Sequence, residues 1–407
     1  MNDGRLRAIS WRDLCPWLLI AQACRRAISI PLILIGTLGV ILTPVGWRCA
    51  EFAFVSDELR ESSAEFSELV ERHGRWNRPL IGGVGERPAV EQGTLDRGPL
   101  EKPSLLGFDW QSVVRGHVTS VHSQLVEPFR RLFALGPLRA GQAAYLLAGG
   151  VWTLLVWALL GGAISRIAVL RLGREEHVGL GDALSFAVRR LRSYFVAPLF
   201  PLGAVALLAV PCALLGLLMR TDVGVLIGGV LWPLVLIAGL LFTPLVLGAA
   251  FGWPLMWGAI SAEENGDEFE ALHRSYSYIH GRPGRFLFYL VVAILLGSVA
   301  SVVVDMLLAT LRHMTVWSVS WGAGAARWQE LVTSVQSGQA STSATVGMGL
   351  IGFFQGLISL AASGFRHTLF WYVAASIYLV LRLDVDETEL RDVYVDEAPQ
   401  AEGPPQL

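Results

Sequence analysis

Charged residues are scarce in this sequence, and lysine is almost absent. Only 16% of the 407 residues are charged, 53% are hydrophobic, and the mean hydropathy is +0.51. Soluble globular domains carry about 25% charged residues, so this composition excludes an ordinary soluble protein. The single lysine, Lys102, lies between Glu101 and Pro103. Because a Walker A motif needs a lysine in a glycine-rich loop, the chain holds no nucleotide-driven pump of that type.

Residues for redox, metal and catalytic chemistry are also few. Only four cysteines occur, namely Cys15, Cys24, Cys49 and Cys212. They have no CxxC spacing, so we expect neither a disulfide framework nor a zinc site of that kind. No HExxH or GxSxG motif is present, and no cofactor is implied. His117, His122 and Glu127 resemble a metal cluster only loosely, and their spacing is more typical of a helix surface.

The chain has long apolar blocks instead. A bilayer core of about 30 Å needs about 20 helical residues to cross it, and several blocks reach that length. They predict six transmembrane helices, over residues 27–47, 142–169, 194–219, 223–260, 286–311 and 346–381. The fourth block contains Pro233, Pro244 and Pro254, so it is either one kinked helix, which we favour, or two short re-entrant pieces. Ser363 and Gly364 predict a bend in the sixth.

A short recurrence indicates how these helices are organised. Two apolar blocks end in Gly-Ala-Ile-Ser, at residues 162–165 and 258–261, and each is followed by charge and an amphipathic segment. This pattern predicts an all-α integral membrane protein whose six helices form three hairpins, each preceded by an interfacial amphipathic helix. The amphipathic segments combine apolar residues with arginine. Membrane lipids, anionic ones in particular, are therefore expected partners.

The distribution of arginine predicts the orientation in the membrane. Sixteen arginines fall in short segments assigned to one side, and three, Arg220, Arg312 and Arg327, fall in the short connections on the other. By the positive-inside rule, both termini are expected in the cytoplasm, in a bacterial cytoplasmic (inner) membrane. Basic pairs such as Arg189 and Arg190 border apolar blocks, which argues against nucleic-acid binding.

These segments divide the chain into four parts. They are residues 1–47 with an interfacial helix and the first transmembrane helix, an extracytoplasmic insertion at 48–141, a five-helix membrane body at 142–382, and an acidic, proline-containing cytoplasmic tail at 383–407. The tail is expected to be disordered. Within the insertion, amphipathic helices are predicted inside residues 52–70 and 110–129, around a loop rich in glycine and proline. A lid on the membrane body and contact with a periplasmic partner both stay open for it.

Three ionisable residues, Asp305, Arg366 and His367, lie inside the last two apolar blocks. Such groups are costly in hydrocarbon and usually face a partner or a cavity. If Arg312 marks the outer edge and Arg382 the inner one, the helical rise places Asp305 about 10 Å and Arg366 about 6 Å below the outer surface. The matching depths predict an ion pair that pins the last hairpin. A substrate or proton pathway through these residues is the alternative.

Glycine spacing indicates where helices approach closely. GxxxG pairs occur at Gly224 and Gly228, at Gly248 and Gly252, and at residues 352 and 356. Small residues at this spacing let two helix backbones come together within a membrane. They favour packing without selecting a particular oligomer, so a protein partner and a homo-oligomer both stay open.

The overall layout resembles known membrane proteins. Charged amphipathic helices before hairpins, with the tail Leu-Arg-Leu-Asp-Val-Asp-Glu-Thr-Glu at residues 381–389, resemble uncharacterised bacterial multi-pass membrane proteins. The layout is also similar to the membrane domain attached to some glycerophosphodiester phosphodiesterases. That family's His-Arg-Gly motif is not matched, because Ser275 follows His273 and Arg274 here. The resemblance therefore implies a multi-pass architecture without the catalytic domain and without its activity.

Two functions follow from these observations. A non-enzymatic membrane component, acting as a scaffold, interacting with lipid or supporting a partner, is the favoured interpretation. A small-solute permease using the region of Asp305 and Arg366 is the alternative. A closed, filled helical bundle would favour the scaffold, whereas a polar cavity that reaches the membrane midplane would favour the permease.

Overall fold

The computed structural model describes residues 15–61, 64–74, 118–132 and 139–395. All regular secondary structure in these ranges is helical. The helices are α1 (Leu18–Arg26), α2 (Ile30–Phe54), α3 (Asp57–Glu61), α4 (Ala64–Gly74), α5 (Val118–Leu132), α6 (Ala140–Gly173), α7 (Leu180–Arg189), α8 (Leu191–Val196), α9 (Leu199–Leu218), α10 (Asp222–Ala262), α11 (Glu268–Gly281), α12 (Pro283–Ala323), α13 (Ala325–Gln336) and α14 (Thr342–Asp386).

Six of these helices, α2, α6, α9, α10, α12 and α14, are long and apolar enough to cross a membrane. The protein is therefore a multi-pass membrane protein, and the predicted all-α fold is confirmed. Short helices precede the pairs, as expected: α1 lies before α2, α7 and α8 before α9, and α11 before α12.

Five of the six transmembrane helices are longer than the apolar blocks that predicted them. The exception is α9, which is shorter than the predicted 194–219 because residues 194–196 belong to the separate helix α8. Helix α10 runs unbroken through its three prolines, so the alternative of two re-entrant pieces is wrong. Helix α12 continues to Ala323, which places Arg312 inside the helix and not in a connection. Helix α2 extends seven residues past Trp47, where Arg48 pairs with Glu51 at 3.0 Å across one turn. Charged residues thus continue a helix when neighbours one turn away satisfy them.

The start of the tail also differs from its prediction. Helix α14 continues without a break through Ser363 and Gly364 and ends only at Asp386. Residues 387–395 follow as an irregular segment in which Val393 is buried. The predicted disordered tail therefore does not include residues 383–395. Residues 396–407 lie outside the described part of the chain.

The chain divides into two compact units. Unit 1 comprises residues 1–19, 165–289 and 374–407, and unit 2 comprises residues 20–164 and 290–373. In unit 1, α9 and α10 form a hairpin whose turn is capped by Thr221, because its Oγ1 accepts a hydrogen bond from Gly224 N at 3.0 Å. Only residues 220–222 separate the two apolar blocks in the sequence, which agrees with this tight turn.

Two of the three GxxxG pairs lie at close contacts within unit 1. A Cβ at Gly228 would lie 2.7 Å from Met219 at the hairpin turn, and a Cβ at Gly252 would lie 2.9 Å from Ile279 of α11. Gly248 likewise faces the ring of Tyr276, whose hydroxyl donates to Leu245 O at 2.8 Å. The interfacial helix α11 is therefore held against α10 by small residues and a hydrogen bond.

In unit 2, α2 and α14 approach closely at a glycine from each helix. A Cβ at Gly36 would collide with the backbone of Gly364, and a Cβ at Gly364 would collide with Thr37. Thr368 Oγ1 donates to Leu32 O at 2.8 Å one turn along. Neither glycine belongs to a GxxxG pair, so this contact was not predicted.

Helices of the insertion pack on the ends of α2 and α6 within unit 2. Trp47 lies at the centre, with its Nε1 donating to Thr153 Oγ1 at 3.0 Å and its ring 4.2 Å from that of His73. The buried cluster consists of Trp47, Ala50, Leu59, Phe66, Leu69, Val70, Tyr145 and Leu146. The helical part of the insertion therefore shares its core with transmembrane helices. The predicted glycine- and proline-rich loop lies outside the described residues.

Candidate functional site

The predicted intramembrane pair lies in unit 2, between α12 and α14. Arg366 Nη1 lies 3.1 Å from Asp305 Oδ1 and 3.2 Å from Oδ2. The second guanidinium nitrogen, Nη2, donates to Ser363 Oγ at 3.1 Å. The pair is partly buried, so the side chains neutralise each other in a region where a lone charge would be expensive.

His367 is placed differently from its neighbour. Its Nδ1 lies 2.9 Å from Ser363 O of its own helix, and its ring stacks on Trp157 with centroids 4.7 Å apart and planes 10° from parallel. The residue is 9% exposed. The structure thus brings Asp305 and Arg366 together and uses His367 in the packing of α14 against α6.

A second polar contact repeats the pairing in register. Arg312 Nη1 donates to Ser359 Oγ at 3.0 Å. The two contacts are seven residues apart along α12, from Asp305 to Arg312, and seven residues apart along α14, from Ser359 to Arg366. Two antiparallel helices bring such positions together at successive contacts about 10 Å apart, because each residue rises 1.5 Å. Asp305 and Arg366 therefore belong to a regular helix seam.

A cavity of about 330 Å³ lies elsewhere in unit 2, between α2 and α6. Its wall is almost entirely apolar and consists of Val45, Gly46, Cys49, Ala50, Ala53, Phe54, Ala148 and Trp152. Trp152 is fixed there by the hydrogen bond from its Nε1 to Leu42 O at 2.9 Å. This cavity contains neither Asp305 nor Arg366, so it provides no polar route to the predicted pair.

A larger polar cluster lies in unit 1, where α10 and α14 end. Glu263, the residue after α10, accepts a hydrogen bond from Tyr378 Oη at 2.8 Å and lies 2.8 Å from Arg382 Nε. Arg274 of α11 lies 3.5 Å from the same carboxylate oxygen. Glu263, Tyr378 and Arg382 are all buried. One carboxylate thus joins α10, α11 and α14, and we call these four residues the Glu263 cluster.

Two acidic residues at the end of α14 extend this cluster. Asp386 accepts from Tyr278 Oη at 2.5 Å and pairs with Arg274 at 3.2 Å. Asp384 accepts from Tyr289 Oη at 2.5 Å and pairs with Arg285 at 3.1 Å. Burial, with the neighbouring Asp386 carboxylate, raises the pKa of Tyr278 well above its ordinary value. The tyrosines therefore act as hydrogen-bond donors to fixed carboxylates.

Arginines also cap the end of α10. Arg190 donates to Ile260 O at 3.2 Å, to Glu263 O at 3.1 Å and to Glu264 O at 2.6 Å. The last carbonyls of a helix lack hydrogen-bond donors within the helix and carry partial negative charge. A guanidinium supplies both the donors and a compensating positive charge. Its neighbour in space, Arg166, donates to Ser261 O at 2.6 Å and lies 4.0 Å from the ring of Phe186.

The second Gly-Ala-Ile-Ser copy lies within this capped end. A Cβ at Gly258 would lie 2.7 Å from that of Tyr378, so glycine is needed for α14 to pack there. Ser261 Oγ lies 2.7 Å from Tyr194 Oη and donates to Trp257 O. Burial raises the pKa of Tyr194 to about 12. This copy is therefore a packing element at the end of α10, whereas the first copy, at residues 162–165, lies inside α6, eight residues before that helix ends.

Comparison with known proteins gives no match for this chain. No protein family matches the sequence. No curated protein and no solved structure matches it significantly either. The architecture and contacts of this chain must therefore carry the functional argument by themselves.

The cysteines and the loose group of His117, His122 and Glu127 were the other candidates from the sequence. All four cysteines are free thiols. His122 lies in α5 with its ring 6.3 Å from that of Phe370, while His117 lies outside the described residues. No group of three metal-ligating side chains occurs among the residues that the structure describes. The Glu263 cluster was missed by sequence reasoning, although Tyr378 and Arg382 lie one turn apart at the end of the last apolar block.

Proposed function

We propose that this protein is a non-enzymatic scaffold of a bacterial cytoplasmic membrane, which interacts with lipid and supports partner proteins. The main support for the proposal is that the polar groups inside the membrane-spanning helices contact neighbouring helices. Asp305, Arg366 and Arg312 contact side chains of the facing helix, and His367 stacks on Trp157. Groups that serve a transport pathway need access to water or substrate, whereas these groups hold helices together.

The proposed orientation places both termini in the cytoplasm. It is supported by the arginines of unit 1, which cap the end of α10 and pair with the end of α14. Cytoplasmic helix ends in membrane proteins carry an excess of arginine and lysine. A cysteine-labelling experiment with a membrane-impermeant reagent on spheroplasts tests this orientation. With the four native cysteines replaced by serine, Gly338→Cys is expected to react from outside, and Gly181→Cys only after the membrane is permeabilised.

Interaction with lipid is supported by the exposed faces of α7 and α11. Val188 and Phe269 are 58% and 60% exposed, and Arg192 of the following α8 has an 84% exposed side chain. Apolar and cationic side chains together favour the headgroup layer of an anionic leaflet. These helices are thus suited to anchor the scaffold in the interface.

A flux assay separates the scaffold from the permease. The protein is reconstituted into liposomes that contain anionic lipid, and uptake of labelled amino acids, sugars and inorganic ions is measured with and without a proton gradient. The scaffold predicts rates equal to those of protein-free liposomes. Saturable uptake that disappears in Asp305→Asn, but persists in the exposed control Asp222→Asn, would assign the pair to a transport pathway instead.

A further inference from the structure

The last described residues, 390–395, cross the arginine-rich end of unit 1, and we call them the tail strap. Three successive carbonyls of the strap each accept a hydrogen bond from a different arginine. The bonds are Arg382 to Asp392 O at 2.7 Å, Arg174 to Val393 O at 3.1 Å, and Arg166 to Tyr394 O at 2.8 Å. A main-chain bond from Tyr394 N to Ala262 O, at 2.9 Å, adds a fourth.

Two side chains of the strap occupy defined places. Val393 is 3% exposed and lies against Gly173 at the end of α6, where a Cβ would come within 2.9 Å of Val393 Cγ2. The ring of Tyr394 lies under the Arg190 guanidinium, with its centroid 5.6 Å from the central carbon. Gly173 therefore leaves room for an apolar side chain, and Arg190 offers a cationic face to an aromatic one.

The strap is joined to α14 by a short hinge. Glu387, directly after the helix, has φ +54°, a left-handed conformation that costs a non-glycine residue about 1 kcal/mol. The contacts made by the strap are mainly to its backbone, and backbone contacts do not depend on the sequence that makes them. Another extended segment with suitable side chains would therefore make the same hydrogen bonds.

We propose that this groove is a peptide-docking site, which the tail strap fills in the isolated chain and an extended segment of a partner protein fills in the assembly. The segment would carry a β-branched residue followed by an aromatic residue. Acidic flanks suit the site, because Arg166, Arg174, Arg190 and Arg382 line it. The proposal gives the scaffold a partner surface and in that respect rests on the proposed function.

Full-length Val393→Asp protein in lipid nanodiscs tests the proposal with a fluorescent peptide of residues 388–395. An aspartate cannot occupy the apolar place of Val393, so the variant's own strap is expected to leave. Because an occupied site lowers apparent affinity by the fraction that is open, the peptide should bind the variant at least about tenfold more tightly than the unmodified protein. Arg391→Lys, which changes an exposed residue of the strap and keeps its charge, should behave as the unmodified protein.

Three results would overturn the proposal. The first is a folded Val393→Asp protein that binds the peptide no better than the Arg391→Lys control does. The second is equal binding of a peptide that itself carries Val393→Asp, because the groove would then not select its side chains. The third is a dimer that dissociates in the variant, which would assign the groove to a second copy's tail. If Val393→Asp does not fold, Tyr394→Ala takes its place with the same peptides. None of these measurements involves flux. Failure of the docking proposal can therefore be distinguished from failure of the proposed scaffold function.

Discussion

Arg382 and Glu263 form a buried ion pair, with Arg382 Nε 2.8 Å from the carboxylate, between the C-terminal part of α14 and the residue that follows α10. The same carboxylate accepts from Tyr378, one turn earlier on α14. Removing one partner of a buried pair leaves the other charge without compensation, and this usually costs more than the pair itself contributes. The end of α10 is therefore expected to be sensitive to small changes.

Glu263→Gln is expected to lower the free energy of unfolding by about 2–4 kcal/mol, because Arg382 and Arg274 stay in place without the carboxylate. The midpoint of thermal unfolding, followed by tryptophan fluorescence in micelles, measures the effect. Glu264→Gln is the matched control, since the next residue is exposed and should change stability by less than about 0.5 kcal/mol. Equal midpoints for the two variants would show that the cluster contributes nothing.

Gly364→Ala is expected to destabilise the protein by about 1–3 kcal/mol, because the added methyl group would overlap Thr37 of α2. Gly349→Ala on the same helix has open space around it and should be neutral or slightly stabilising. Thermal unfolding of the two variants under the same conditions makes the comparison. A neutral Gly364→Ala would mean that α2 and α14 do not approach as described.

Stability at alkaline pH is expected to depend on Tyr194, the buried tyrosine of α8 that contacts Ser261 at the end of α10. The pKa of Tyr194 is raised to about 12 from an ordinary value of about 10, so the unfolded chain loses this proton first. Its contribution is complete below pH 10 and is lost as the pH rises towards 12. The unfolding midpoint of Tyr194→Phe should therefore fall less steeply between pH 10 and 11 than that of the unmodified protein. Parallel curves would contradict the raised pKa.

Helix number and the contact between Asp305 and Arg366 were predictable, the first from apolar length and the second from the constant rise of a helix. The Glu263 cluster was not, since its members come from α10, α11 and α14 and their meeting is a tertiary event. Gly36 and Gly364 are single glycines on different helices, so no local spacing marks them. Helix ends were predicted too short because Arg48 and Arg312 are satisfied by neighbours and continue the helix.

The ion pair between Asp305 and Arg366 holds α12 against α14, and we call this contact the helix clasp. Asp305→Leu and Arg366→Met each leave one charge unpaired inside the membrane, so each should lower the unfolding free energy by about 1–3 kcal/mol. The double variant removes both charges and should recover most of that loss.

A double-mutant cycle in lipid nanodiscs, with thermal unfolding as the readout, therefore tests the account most directly. The clasp predicts a double variant more stable than either single variant, by about 1 kcal/mol or more. Strictly additive losses would contradict it, because the two residues would then not be coupled.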